Sequence, residues 1–102
     1  MAVNALTTGL PGAELVHQGL ADLRVGICTP AALLVSMASL RLRESGLLAG
    51  IAPLWPDPEM QLYRLLRAQG GDAYSRYNAL RRELDSFLAA LDHRRRQVAR
   101  PA

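Results

Sequence analysis

The stretch "SRYNALRRELD", residues 75–85, gathers Arg76, Tyr77, Asn78, Arg81 and Arg82. Such a cluster is either a surface built to hold a partner, such as a nucleic acid, or the wet side of a helix. At 100° per residue, with Leu84 at the centre of the apolar face, Tyr77, Leu80, Phe87, Leu88 and Leu91 fall within about 60° of it. Arg81 stands at one margin, Arg76 and Arg94 at the other, and Arg82 and His93 point outward. The arginines therefore frame an apolar seam and do not form one basic stripe. Helical pairs at i,i+4 are expected between Asp72 and Arg76, Arg81 and Asp85, and Asp92 and Arg96. With acids answering most bases, the stretch reads first as a solvated flank. Its second reading is an oligomer interface, in which long arginine stems cover apolar area while their heads reach water.

Uncompensated cations collect in the C-terminal tail alone, at Arg94, Arg95, Arg96 and Arg100. They are the candidates for a nucleic-acid contact, partly offset by Asp92. A helix-turn-helix made from the two helices around "GICTP" is rejected. Its second helix would offer Ala31, Leu33, Leu34 and Val35 to base edges that need polar partners.

Cys28 precedes a helix N-terminus, where the dipole can lower a thiol's pKa, but the commoner fate of a free cysteine is to be a small buried hydrophobe. His17 and His93 lack a second ligand at metal-binding spacing, for no HxxxH, HExxH or CxxC occurs. The glycines form no phosphate loop. No catalytic residue, metal site or cofactor is assigned. Trp55, between two prolines, is a candidate partner anchor or a loop side chain packed onto the core.

The elements that carry these residues are helical. "TTGLPG" is turn chemistry within an irregular segment 1–11. A first helix is expected from Gly12 to Val25, with Val16, Leu20 and Leu23 inward, Glu14, Gln18 and Asp22 outward, and Gly26 as its stop. Thr29 as N-cap and Pro30 at the first helical position open a second helix running to Glu44. That helix is apolar almost all round until Arg41, so it belongs in a core; Gly46 ends it. "LLAGIAPLWPDPE" has too many prolines for regular helix and too many apolar groups for water, so it reads as an ordered loop tucked onto the helices. Asp57 is the expected cap of a third helix from Pro58 to about Gln69. Asp72 caps a fourth from Ala73 to roughly Arg94, whose Tyr77, Leu80, Leu84, Phe87 and Leu91 step by heptad spacing. Residues 95–102 are expected to fray.

A chain of 102 residues holds one domain with one core. Half of its residues are hydrophobic and only five are aromatic, so the core must be Leu- and Ala-rich, which favours helix. All twelve basic residues are arginine, and the net charge is +3. A GC-rich coding sequence produces that bias without selection for guanidinium chemistry, and the charge is modest for a nucleic-acid binder. One cysteine excludes an internal disulfide. No leader pattern is visible, and the longest apolar helical run, about Ile27–Leu40, is shorter than the ~20 residues of a membrane span.

The expectation is an all-α, compact bundle of four main helices with an ordered Pro-rich loop between the second and third, cytoplasmic and not associated with a membrane. Its expected role is that of a non-enzymatic interaction or structural protein that pairs with itself. Its apolar content exceeds what one small globule hides. The expected interface is Trp55, Tyr77, Arg81, Leu84, Phe87, Leu88 and Leu91.

Overall fold

Helix punctuation in the sequence translates directly into backbone hydrogen bonds. In the computed structural model, which describes residues 7–48 and 55–99, α1 spans Ala13–Val25 and stops where Gly26 turns left-handed at φ 76°. The Gly26 amide donates to Leu23 O at 3.2 Å and the Ile27 amide to Asp22 O at 2.9 Å. This pair of reversed bonds satisfies carbonyls that the helix end would otherwise orphan. The same device recurs at Gly46, with φ 82°, Gly46 N–H donating to Arg43 O and Leu47 N–H to Leu42 O, each at 3.0 Å.

Thr29 opens α2, Pro30–Met37, by accepting the Ala32 amide on its hydroxyl oxygen at 3.1 Å. The expected second helix is interrupted: α3 begins at Ser39 and runs to Glu44. At the break Ala38 takes φ −96°, ψ 18°, and its amide is shared between Leu34 O and Val35 O, both at 3.2 Å. One turn earlier the Ser36 hydroxyl donates to Ala32 O at 2.9 Å. A serine bonding back to the preceding turn competes with the ladder and bends helices. No pattern of apolar residues signals that break. After it, Leu42 is fully buried while Leu40 is 67% exposed.

α4 spans Pro58–Ala68 with Pro58 in its first turn. The expected Asp57 side-chain cap is not formed: Asp57 is left-handed, at φ 45° and ψ 52°, with no capping hydrogen bond from its carboxylate. Asp57 serves through its carbonyl, which accepts the Gln61 amide at 3.1 Å, while Gln61 Nε2 donates to Pro56 O. Asp72 does cap the last helix, accepting the Ser75 amide at 3.1 Å and the Ser75 hydroxyl at 2.8 Å. That helix, α5, covers Ala73–Ala99, five residues beyond the expected end. Before its last turn, Arg94 Nη1 donates to Thr8 O at 2.6 Å and Arg95 Nη2 to Glu44 O at 3.2 Å.

The protein is all-α, and α2 is its centre. Every residue from Ala31 to Ser36 is buried, because α1 packs on one side of α2, α4 on another, and α5 lies against all three. Gly19 lets α1 approach α2 closely: a Cβ there would stand 2.3 Å from Ala31 O. Leu33 and Leu34 are at 0% and 1% exposure, each contributing about 1.5–3 kcal/mol by burial; Met37 is half-buried and packs on the same core. From α4 the core takes Leu62 and Leu66, and from α5 Leu84, Phe87, Leu88 and Leu91. The expected loop is tucked at both described ends, with Leu47 and Leu48 buried and Trp55 packed against the core. The Trp55 amide donates to Ser36 Oγ at 3.4 Å. Gly50, Ile51, Pro53 and Leu54 lie outside the described residues.

Asp22 departs from its expected outward position. It is buried, at 8% exposure, accepting from Thr29 Oγ1 at 2.6 Å and Gln18 Nε2 at 2.9 Å. The α1–α2 turn folds back so that the cap of the second helix bonds to the first, a contact the 3.6-residue period of α1 cannot reveal.

Candidate functional site

The arginines of α5 find different partners from those its spacing suggests. Ser75 occupies the Asp72 carboxylate, so Arg76 donates instead to Gln69 Oε1 at 2.8 Å. Asp92 pairs across the fold with Arg41 of α3, and Arg41 also donates to Leu88 O at 3.4 Å. Arg81 donates through Nη1 to the Tyr77 hydroxyl at 3.3 Å, and the Tyr77 ring meets Tyr63 edge-on, with centroids 6.2 Å apart. Arg82 is exposed.

Three of the expected interface residues, Arg81, Leu84 and Leu88, come together in a groove of about 220 Å³. One wall is α5. The other is the α2–α3 break, which supplies Met37, Ala38, Leu40 and Arg41, together with Glu59 of α4. Its base is the half-buried Met37 with Leu84 and Leu88, at 3% and 5% exposure, beneath it. The rim carries Arg41 and Arg81 against Glu59 and Asp85. Arg81 Nε is buried and has no hydrogen-bond acceptor. The Tyr77 hydroxyl raises the pKa of the Arg81 guanidinium above its ordinary value, with Asp85 and Glu59 adding to the effect by charge. Leu40 projects beside this base with two-thirds of its surface in water.

The other expected interface residues are placed elsewhere. Phe87 and Leu91, at 0% and 1% exposure, are spent inside the chain's own core and have no surface to offer a second chain. Tyr77 is half-buried in its contact with Tyr63, and Trp55 is half-buried under the loop. Of the tail arginines, Arg94 and Arg95 hold backbone carbonyls, Arg96 is exposed, and Arg100 lies outside the described residues. The α1–α2 pair bends by 97°, an angle typical of helix-turn-helix motifs. Burial of Ala31–Ser36 nevertheless leaves no recognition face on α2 to enter a groove of DNA.

Cys28 is exposed, contrary to the buried role expected for it. It lines a second, larger depression of about 530 Å³ with Asp57, Met60, Gln61, Arg64 and Leu65. Desolvation raises its thiol pKa above the ordinary value, which opposes thiolate chemistry. His17 shares a 2.7 Å hydrogen bond with the buried Thr7, and His93 is exposed on α5. Among the described residues no three His, Cys, Asp or Glu side chains gather as metal ligands, and no single helix is long and apolar enough to cross a membrane.

Sequence reasoning missed Met37, Leu40, Arg41, Glu59 and Asp85 as members of one site. Leu40 sits in a run of apolar residues that reads as core, and only the break at Ala38 turns it out. No protein-family model, curated protein or solved structure matches the chain.

Proposed function

We propose that the chain is a non-enzymatic helical interaction protein whose working form is an assembly with its own copy. The observation that carries this reading is the α2–α3/α5 groove, lined by side chains of both charge signs, with the half-buried Met37 and the large exposed side chain of Leu40 beside them. A nucleic-acid partner gripped by residues 94–100 is less well supported, because Arg94 and Arg95 already serve intramolecular carbonyls. The exposed free thiol of Cys28 suits a reducing compartment and supports a cytoplasmic location.

Size-exclusion chromatography with light scattering, run from about 10 μM to 1 mM to span weak and moderate affinities, tests the reading. A mass rising toward twice the 11.1 kDa of the chain is expected. A constant single-chain mass across that range removes it.

A further inference from the structure

We propose that the depression between the α1–α2 turn and α4 binds a short apolar peptide with both ends free. The inference concerns a different face from the α2–α3/α5 groove and does not rest on self-association. Asp57, Met60, Gln61, Arg64 and Leu65 line one side of this depression and Cys28 the other. From Asp57 to Leu65 these residues step by three, one, three and one, so they form a single stripe along α4.

Charge selects the class of ligand. Asp57 and Arg64 carry opposite charges, and among the described residues neither side chain has an ion pair or a hydrogen bond. The left-handed backbone that withdraws the Asp57 carboxylate from capping α4 leaves it to a ligand. A ligand of one sign would meet one opposite and one like charge, whereas a dipolar ligand satisfies both. The two positions are seven residues apart, roughly 10 Å along a helix. Each residue of an extended peptide adds about 3.3–3.6 Å, so the ammonium and carboxylate of a di- or tripeptide stand at the separation of this pair. Gln61, between the two, favours a peptide over other dipolar molecules. Its Nε2 is engaged by Pro56 O, so the side chain is held and its Oε1 remains to accept the N–H of a peptide bond. Apolar contact comes from Met60, 57% exposed, and the half-buried Leu65. A methionine adapts its unbranched side chain to varied apolar partners.

Cys28 is the only cysteine of the chain and is exposed, so the rate of its reaction with dithiodipyridine reports occupancy of the depression. Millimolar leucyl-leucine should slow that reaction and shift the Cys28 and Gln61 amide signals in NMR spectra. N-acetyl-leucyl-leucine lacks the ammonium and leucyl-leucinamide lacks the carboxylate. Each should bind about two- to fivefold more weakly, the scale of an exposed ion pair. Arg64→Gln should weaken leucyl-leucine by the same factor and leave leucyl-leucinamide unchanged. Asp57→Asn, whose asparagine tolerates the left-handed backbone, should weaken leucyl-leucine and leave N-acetyl-leucyl-leucine unchanged. Both positions are exposed, and circular dichroism verifies that the variants fold. Equal binding of the three peptides, or equal losses for all three in either variant, overturns the charge recognition and with it the proposal. Leucine alone that protects Cys28 as well as leucyl-leucine overturns the peptide assignment. Leucyl-leucine that neither protects Cys28 nor shifts an amide overturns the site itself.

Discussion

Gly19→Ala sets two effects of opposite sign against each other. Alanine in the middle of a helix is worth about 1 kcal/mol over glycine, so in an open position the change would stabilise α1. At Gly19 the added Cβ would lie 2.3 Å from Ala31 O, 2.7 Å from Ala31 C and 2.5 Å from Val35 Cγ2. Val35 can adjust by a rotamer, but the Ala31 carbonyl is backbone in the first turn of α2 and has no rotamer to change. The helices must separate by most of an ångström, and overpacking of this kind costs about 1–3 kcal/mol. With a backbone obstacle the upper part of that range applies, so the net effect is a loss of roughly 1–2 kcal/mol. For a domain of this size that lowers Tm by about 5–15 °C. Thermal and urea unfolding followed by circular dichroism reads the change. Ala21→Gly, at an exposed position of the same helix, calibrates the propensity effect and should cost about 1 kcal/mol. If Gly19→Ala raises Tm, α1 and α2 are not in the close contact described, and the central packing argument fails.

Thr29→Val removes the cap of α2 and one donor to the buried Asp22 carboxylate, for an expected loss of about 2–4 kcal/mol. In a double-mutant cycle with Asp22→Ala the losses should be non-additive, and additivity in urea midpoints would show that the two side chains are not coupled. The Ser75 hydroxyl and then the Ser75 amide hold the Asp72 carboxyl below its usual value of 3.8. A carboxyl depressed on folding contributes stability that is complete above its unfolded pKa and is lost as pH falls through the folded value. Asp72→Asn keeps a capping oxygen but cannot titrate, so its Tm deficit against wild type should shrink as pH drops below about 4. A deficit unchanged from neutral to acid pH would contradict this.

The helical class, the single core and most helix ends could be read from the chain, because they depend on local chemistry. Thr29-Pro30, Asp72, Gly26 and Gly46 act on backbone groups within a few residues, and the spacing of Leu84, Phe87, Leu88 and Leu91 selects the buried face of α5 whatever it packs against. The run from Ala31 to Val35 could only be a buried helix. Other features depended on contacts between distant segments. Asp22 is polar and in phase with the outer face of α1, yet the turn after Gly26 brings Thr29 back to it. Asp57 looked like a cap until a left-handed backbone withdrew it. The seam residues Phe87 and Leu91 were read as surface for a second chain, but α5 turns them into its own core. The groove likewise joins Met37 and Leu40 to Arg81 and Asp85, about forty-five residues away. It exists because the helix is interrupted at Ala38, whose amide is shared between Leu34 O and Val35 O, a backbone arrangement that no hydropathy pattern encodes.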